Sequence, residues 1–181
     1  MFGALAIFTG YAASNFGAAW LWVSIAGYVV QWFGDSMDGS LARFRKIERP
    51  SYGYFLDHSC DGLATLLILG GIGASPYVRL DVALIALAGY LLLSVHAFLS
   101  ARVLGELKLS YIAAGPTELR LVLITLTLTM MVLGPSNAAT DPGSGFDLFV
   151  GGVGIVLILL FVGQTLVTAR RLAAMERSRI A

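Results

Sequence analysis

The chain has few charged residues and almost no cysteine. Only 13% of its 181 residues are charged, whereas soluble domains carry about 25%. The single cysteine, Cys60, excludes an internal disulfide framework. A net charge of +1 gives no indication of nucleic-acid binding. These shortages argue against a soluble domain and a disulfide scaffold, and no nucleic-acid partner is expected.

Hydrophobic residues take the place of the missing charge. They make up 57% of the chain, and the mean hydropathy is +0.81. Glycine is also frequent, with 21 residues, and small residues let membrane helices pack closely. The composition therefore predicts an all-α integral membrane protein.

Apolar runs predict six transmembrane helices in one domain over residues 1–181, because a span needs about 20 apolar residues. The first run is short, and it has neither a basic leader nor a small-residue cleavage site, so we interpret it as a shortened first helix and not as a signal peptide. The expected spans cover residues 1–14, 18–44, 53–74, 80–104, 116–133 and 146–172.

Basic residues are concentrated on alternate connections between the spans. Eleven of the twelve lysines and arginines lie in or beside the connections after spans two and four or in the C-terminal tail. Only Arg79 lies on the other side. The positive-inside rule then predicts that both termini are cytoplasmic, in the cytoplasmic membrane if the protein is bacterial. It also places the end of span two and the start of span three on the cytoplasmic side.

Four aspartates lie near this cytoplasmic end. Asp35 and Asp38 are three residues apart and Asp57 and Asp61 are four apart, so each pair lies on one helix face. A hairpin of spans two and three is expected to bring the two faces together. Four such carboxylates cannot all stay ionised unaided, and oxygen donors suit Mg²⁺, Mn²⁺ or Ca²⁺ better than zinc. The pattern therefore predicts a divalent-cation site.

Two glycines and an arginine accompany the aspartates. Gly39 follows Asp38, and Gly53 lies one turn before Asp57. Without side chains at these positions, a bulky ligand can approach the backbone. Arg43 lies one turn after Gly39 and can hold a phosphate with its guanidinium fork. Each feature alone is typical of a helix cap, a packing contact or a topology anchor, but together they indicate a nucleotide or diphosphate substrate.

This pattern resembles the signature of the CDP-alcohol phosphatidyltransferase family. The connection between the arginine and the second glycine is slightly longer than is usual in the family, and the first span is short. The residues that carry the resemblance are Asp35, Asp38, Gly39, Ala42, Arg43, Gly53, Asp57 and Asp61.

The resemblance implies a reaction at a two-metal site with Mg²⁺ or Mn²⁺. A CDP-linked alcohol or CDP-diacylglycerol is attacked by the hydroxyl of an acceptor alcohol or diacylglycerol, and CMP leaves. All four aspartates are implied to bind metal, and Asp61 is also implied to be the general base. The CDP site is implied to involve Asp35, Gly39, Ala42, Arg43, Gly53 and Asp57. A homodimer among membrane lipids is implied as well.

The stretch "GYFLDHSCD" is similar to the corresponding part of choline and ethanolamine phosphotransferases. In those proteins a histidine also follows the third aspartate, which implies that His58 shares or takes the role of base. That subgroup has a glutamate where this chain has Tyr54, so the likeness is incomplete. It favours a lipid acceptor, but the choice between Asp61 and His58 stays open.

Two further polar groups lie outside the signature. Glu118 and Arg120, near the start of span five, are candidate substrate contacts or, alternatively, partners in an interfacial salt bridge. His96, in the middle of span four, is more typical of a buried, hydrogen-bonded histidine than of a ligand.

Two other functions are compatible with acidic residues in membrane spans. An intramembrane prenyltransferase also binds a diphosphate through aspartates and Mg²⁺, but its motifs usually lie on separate helices of a larger bundle. A divalent-cation transporter is expected to carry acids near the middle of the membrane with access to both sides, whereas spans five and six and the outer halves of the other spans have almost none.

Overall fold

The computed structural model describes residues 1–45, 49–104, 116–135 and 144–180, with side chains described for all of these except 38–43, 45, 50, 116 and 178–180. Within these ranges the regular elements are helices and no strand occurs, which confirms the all-α class. The α-helices are α1 (Phe2–Ala13), α2 (Leu21–Arg45), α3 (Pro50–Ala74), α4 (Leu80–Leu104), α5 (Pro116–Leu133) and α6 (Gly145–Ile180).

Local sequence explains where several helices begin and end. Proline occupies the first position of α3 and of α5, where its missing N–H costs nothing and its fixed φ favours a helix. The N-terminus of α6 is capped by Ser144, whose Oγ accepts a 3.1 Å hydrogen bond from the backbone N–H of Asp147. Helix α6 continues to Ile180, eight residues beyond the predicted span, so the described part of the basic tail is helical.

Among the described residues, three helices have the length and composition to cross a membrane. They are found over Ser51–Ala74, Leu80–Leu104 and Gly145–Arg177. Helix α1 has 12 residues, or about 18 Å at 1.5 Å per residue, which is less than a hydrocarbon core of about 30 Å. The protein is therefore an integral membrane protein, while the count of six spans stays a prediction.

The helices contact one another in the order α5, α2, α1, α3, α4, α6. Direct packing of α2 on α3, as expected for a hairpin, is not found among the described residues, because α1 packs against both helices. Glycine allows this insertion. A Cβ atom on Gly27 of α2 would lie only 2.8 Å from the carbonyl oxygen of Gly3 in α1, so the two backbones meet directly.

The buried core lies at the end of the bundle away from the signature aspartates. It contains Tyr11, Tyr28, Ile72 and Met130, each at most 1% exposed. Among the described residues, the other end, where α2 finishes and α3 begins, contributes no member of this core cluster, and the side chains of Asp35 and Asp57 are exposed there. Packing thus stabilises one end of the bundle and leaves the signature end accessible.

A chain of buried hydroxyl groups joins α1, α2 and α5 within the core. The hydroxyl of Thr127 donates to the carbonyl oxygen of Leu123 (2.7 Å) and therefore accepts from the hydroxyl of Tyr11 (2.6 Å). The oxygen of Tyr11 in turn accepts from the hydroxyl of Tyr28 (3.3 Å). This order of donors satisfies all three buried hydroxyls, as burial requires.

Candidate active site at the open end of the bundle

An ion pair between α2 and α5 lies at the open end. Nη2 of Arg120 donates a hydrogen bond to Oδ2 of Asp35. The side chain of Arg120 is 18% exposed and that of Asp35 is 40% exposed, so the arginine is largely covered while the aspartate is more accessible. The structure thus brings together a signature aspartate and one of the two candidate substrate contacts.

The aspartates of α3 lie near this pair. Asp61 is half-buried and lies within electrostatic range of Asp35, Asp57, His58 and Arg120. The side chain of Asp57 is 56% exposed. Carboxylates from α2 and α3 therefore share one electrostatic neighbourhood although α1 packs between the two helices elsewhere.

His58 is held by contacts on both sides of its ring. Its Nδ1 lies 2.9 Å from the backbone carbonyl oxygen of Tyr54 and 3.8 Å from Oδ2 of Asp57. Its ring stacks at 4.2 Å on Tyr54 and meets Phe98 of α4 edge-on at 5.3 Å. Because a carbonyl oxygen can only accept, Nδ1 must carry the hydrogen, which leaves the lone pair of neutral His58 on Nε2.

Gly53 faces open space. A Cβ atom built at this position would have no neighbour within 4 Å. Gly53 is therefore not needed for helix packing among the described residues, in contrast to Gly3 and Gly27. A bulky ligand has room to approach the backbone here.

The other predicted site residues are placed less completely. Asp38, Gly39, Ala42 and Arg43 lie on α2, but their side chains fall outside the described part of the structure. Glu118 is exposed in the first turn of α5, and no hydrogen bond or ion pair joins it to the described site residues.

The buried hydroxyl chain was not predicted, because the sequence does not show which helices pack together. Thr127 lies seven residues after Arg120, and Tyr28 lies seven residues before Asp35. Seven residues are close to two helical turns, so each pair lies on one face of its helix. Helices α2 and α5 are consequently joined twice, once by the Asp35–Arg120 ion pair and once through the hydroxyls, at positions about 10 Å apart along the axis.

The donor chemistry of the site fits a hard divalent cation. Asp35, Asp57 and Asp61 offer only carboxylate oxygens, the ligands that Mg²⁺ and Mn²⁺ prefer. Within the described side chains, however, no three acidic, histidine or cysteine groups are gathered closely enough to form a finished metal site. One oxygen of Asp35 is already paired with the guanidinium of Arg120.

His96 lies in the contact between α4 and α6 and not in this site. It is 6% exposed, its Nε2 lies 3.2 Å from Oγ of Ser100, and its Nδ1 lies 3.3 Å from Oγ1 of Thr165. The interpretation of His96 as a buried, hydrogen-bonded histidine agrees with these contacts.

A family model described as CDP-alcohol phosphatidyltransferase matches residues 1–162. The match includes the whole signature and also reaches Arg120 and Thr127 on α5. No curated protein and no solved structure matches the chain.

Proposed function

The chain belongs to the CDP-alcohol phosphatidyltransferase family, and on that premise we propose that it transfers a substituted phosphate from a CDP-linked alcohol or CDP-diacylglycerol to an acceptor hydroxyl and releases CMP. Family membership and the three apolar helices identify it as a membrane transferase of phospholipid synthesis. The acceptor in this proposal is a small alcohol or diacylglycerol, and the functional unit is a homodimer. Neither a prenyltransferase nor a cation transporter is supported by the family match.

The observation that carries the proposal is the shared neighbourhood of Asp35, Asp57 and Asp61 at the open end of the bundle. Together with Asp38, these residues would hold two divalent cations. When bound, the cations would neutralise charge on the pyrophosphate and favour departure of CMP. The site lies on the cytoplasmic side in this proposal, as the distribution of basic residues predicts.

The protein's own residues would bind and orient the CDP group. Arg43 would hold a phosphate with its fork, while Gly39, Ala42 and Gly53 would leave room for the nucleotide. The open space beside Gly53 supports this role. Arg120, across the site on α5, would offer a second guanidinium to phosphate.

Two residues are candidates for taking the proton of the acceptor hydroxyl. Asp61 has the position that the family resemblance assigns to the base. His58 is supported by its hydrogen bond to the Tyr54 carbonyl, which fixes Nδ1 as donor and leaves Nε2 able to accept a proton. We propose that Asp61 binds metal and acts as base, and that His58 shares the proton through Nε2.

A screen of donors against acceptors tests the function. Purified protein in lipid is incubated with CDP-linked alcohols or CDP-diacylglycerol, each with soluble alcohols or diacylglycerol, with Mg²⁺ or with a chelator. The proposal predicts Mg²⁺-dependent release of CMP and a phospholipid product identified by mass. Absence of CMP from every donor, together with cation flux in liposomes, would instead support a transporter.

A further inference from the structure

We propose that Arg120 is a built-in counter-cation for Asp35, which gives way when a divalent cation binds and then pairs with a phosphate of the donor. The inference rests on the proposed function, because it concerns the same metal and phosphate site. In this proposal Arg120 moves from the carboxylate of Asp35 to a phosphate of the donor. A residue that only contacts the substrate would pair with the phosphate alone.

The contact itself sets up the exchange. Arg120 places its guanidinium on Oδ2 of Asp35, so one positive charge already occupies the position that a cation at this oxygen would take. Two positive groups at the same carboxylate repel each other strongly in a partly buried place. The side chain of Asp35 is 40% exposed, which gives an incoming cation access to it.

The core keeps Arg120 within reach after the exchange. Thr127, two turns further along α5, is anchored by the 2.6 Å bond to Tyr11 and by packing of α5 on α2. Loss of the Asp35 contact therefore releases the side chain of Arg120 without releasing the helix.

Phosphate is the anion best suited to receive the released side chain. A guanidinium donates several parallel N–H bonds and matches phosphate oxygens better than a lysine does. Arg120 also lies within electrostatic range of Asp61, so it stays beside the reacting groups. The phosphate of the CDP donor would then pair with the guanidinium of Arg120, which the metal displaced from Asp35.

Chemical modification of the wild-type protein tests the exchange directly. Phenylglyoxal reacts with accessible guanidinium groups, and mass spectrometry measures the modification rate at each arginine. We expect Mn²⁺ to raise the rate at Arg120 several-fold over the chelated protein, and Mn²⁺ with CDP to lower it again. Arg102, exposed in the last turn of α4, is the internal control and should be unaffected. A rate at Arg120 that Mn²⁺ leaves unchanged or lowers would overturn the proposal.

Metal affinity gives an independent readout. Arg120→Gln should bind Mn²⁺ about fivefold more tightly than wild type, the factor that corresponds to the loss of a competing ion pair of about 1 kcal/mol. Arg102→Gln removes the same charge elsewhere and should leave the affinity near that of wild type. Equal affinities in wild type and Arg120→Gln, or weaker binding by Arg120→Gln, would contradict the exchange.

The outcomes separate this inference from the proposed function. Mn²⁺ binding and CMP release without any change at Arg120 would overturn the exchange alone. Absence of both Mn²⁺ binding and CMP release would overturn the exchange and the transferase proposal together.

Discussion

Asp61 lies close to most of the charged side chains of the site. It is half-buried and lies within range of two other aspartates, a histidine and an arginine. A neutral amide at this position would keep the shape of the side chain but lose both a metal ligand and a proton acceptor.

We therefore predict that Asp61→Asn abolishes transfer while nucleotide still binds. Loss of a general base lowers rates by about 10² to 10⁴-fold, and loss of a metal ligand adds to this. CMP release and CDP binding are measured on the same preparation. Asp81→Asn, at the exposed ion pair with Arg79 at the start of α4, is the matched control and should stay active. Near-normal turnover by Asp61→Asn would remove Asp61 from the role of base.

His58 provides a second prediction at this scale. His58→Gln should lower kcat about 10²-fold if Nε2 takes part in proton transfer. The matched control is Tyr54→Phe, because Tyr54 contacts His58 through its backbone carbonyl and its ring. That variant should keep its activity. A kcat for His58→Gln within twofold of wild type would leave Asp61 as the base in the proposed mechanism.

A substitution at Gly53 distinguishes a role in helix packing from a role in leaving room for the ligand. In Gly53→Ala the new methyl group meets nothing within 4 Å, and alanine gains about 1 kcal/mol of helix propensity over glycine. We expect equal or higher thermal stability but weaker CDP binding, because the methyl group fills the space for the donor. Gly163→Ala on α6, which also meets nothing within 4 Å, should gain stability with unchanged CDP binding. Unchanged CDP affinity in Gly53→Ala would contradict the role of the gap.

At the scale of elements, α5 is the helix whose position matters most for the site. Among the described residues it packs chiefly on α2, and it carries Arg120. The hydrogen bonds of the hydroxyl chain through Tyr11 fix the position of α5 along the axes of α1 and α2. A small polar cluster in the core thus positions a charged residue two turns away.

The order of hydrogen-bond donors among the hydroxyls of Tyr28, Tyr11 and Thr127 predicts how much each tyrosine hydroxyl contributes to stability. Tyr28→Phe removes one hydrogen bond and should cost about 1 kcal/mol, whereas Tyr11→Phe removes two and should cost about twice as much. Both values are measured as changes in the free energy of unfolding in detergent micelles. A larger cost for Tyr28→Phe than for Tyr11→Phe would contradict the donor order.

The helices themselves are largely predictable from sequence. The bounds of α4 and α5 agree with the expected spans, because turn-forming residues and proline interrupt the apolar runs there. The neighbours of each helix were not predictable in the same way. The insertion of α1 between α2 and α3 depends on direct contact between Gly3 and Gly27, which no periodicity in the sequence encodes.

At the scale of the whole molecule, the bundle has a packed end and an open end. The side chains of the buried core lie at one end, and the described carboxylates of the signature lie at the other. The signature itself identified the aspartates and the family, because their chemistry and spacing are local. The pairing of Arg120 with Asp35 joins residues 85 positions apart, and only the fold brings them together.

The central claim is that carboxylates of α2 and α3 jointly hold the cations that grip a pyrophosphate. Its most direct test is Mn²⁺ titration of wild type, Asp35→Asn and Asp57→Asn, each with and without CDP. We predict that CDP and Mn²⁺ tighten each other's binding to wild type by the same factor, as thermodynamic linkage requires, and that either substitution removes this coupling. Coupling of wild-type strength in both variants would contradict the claim.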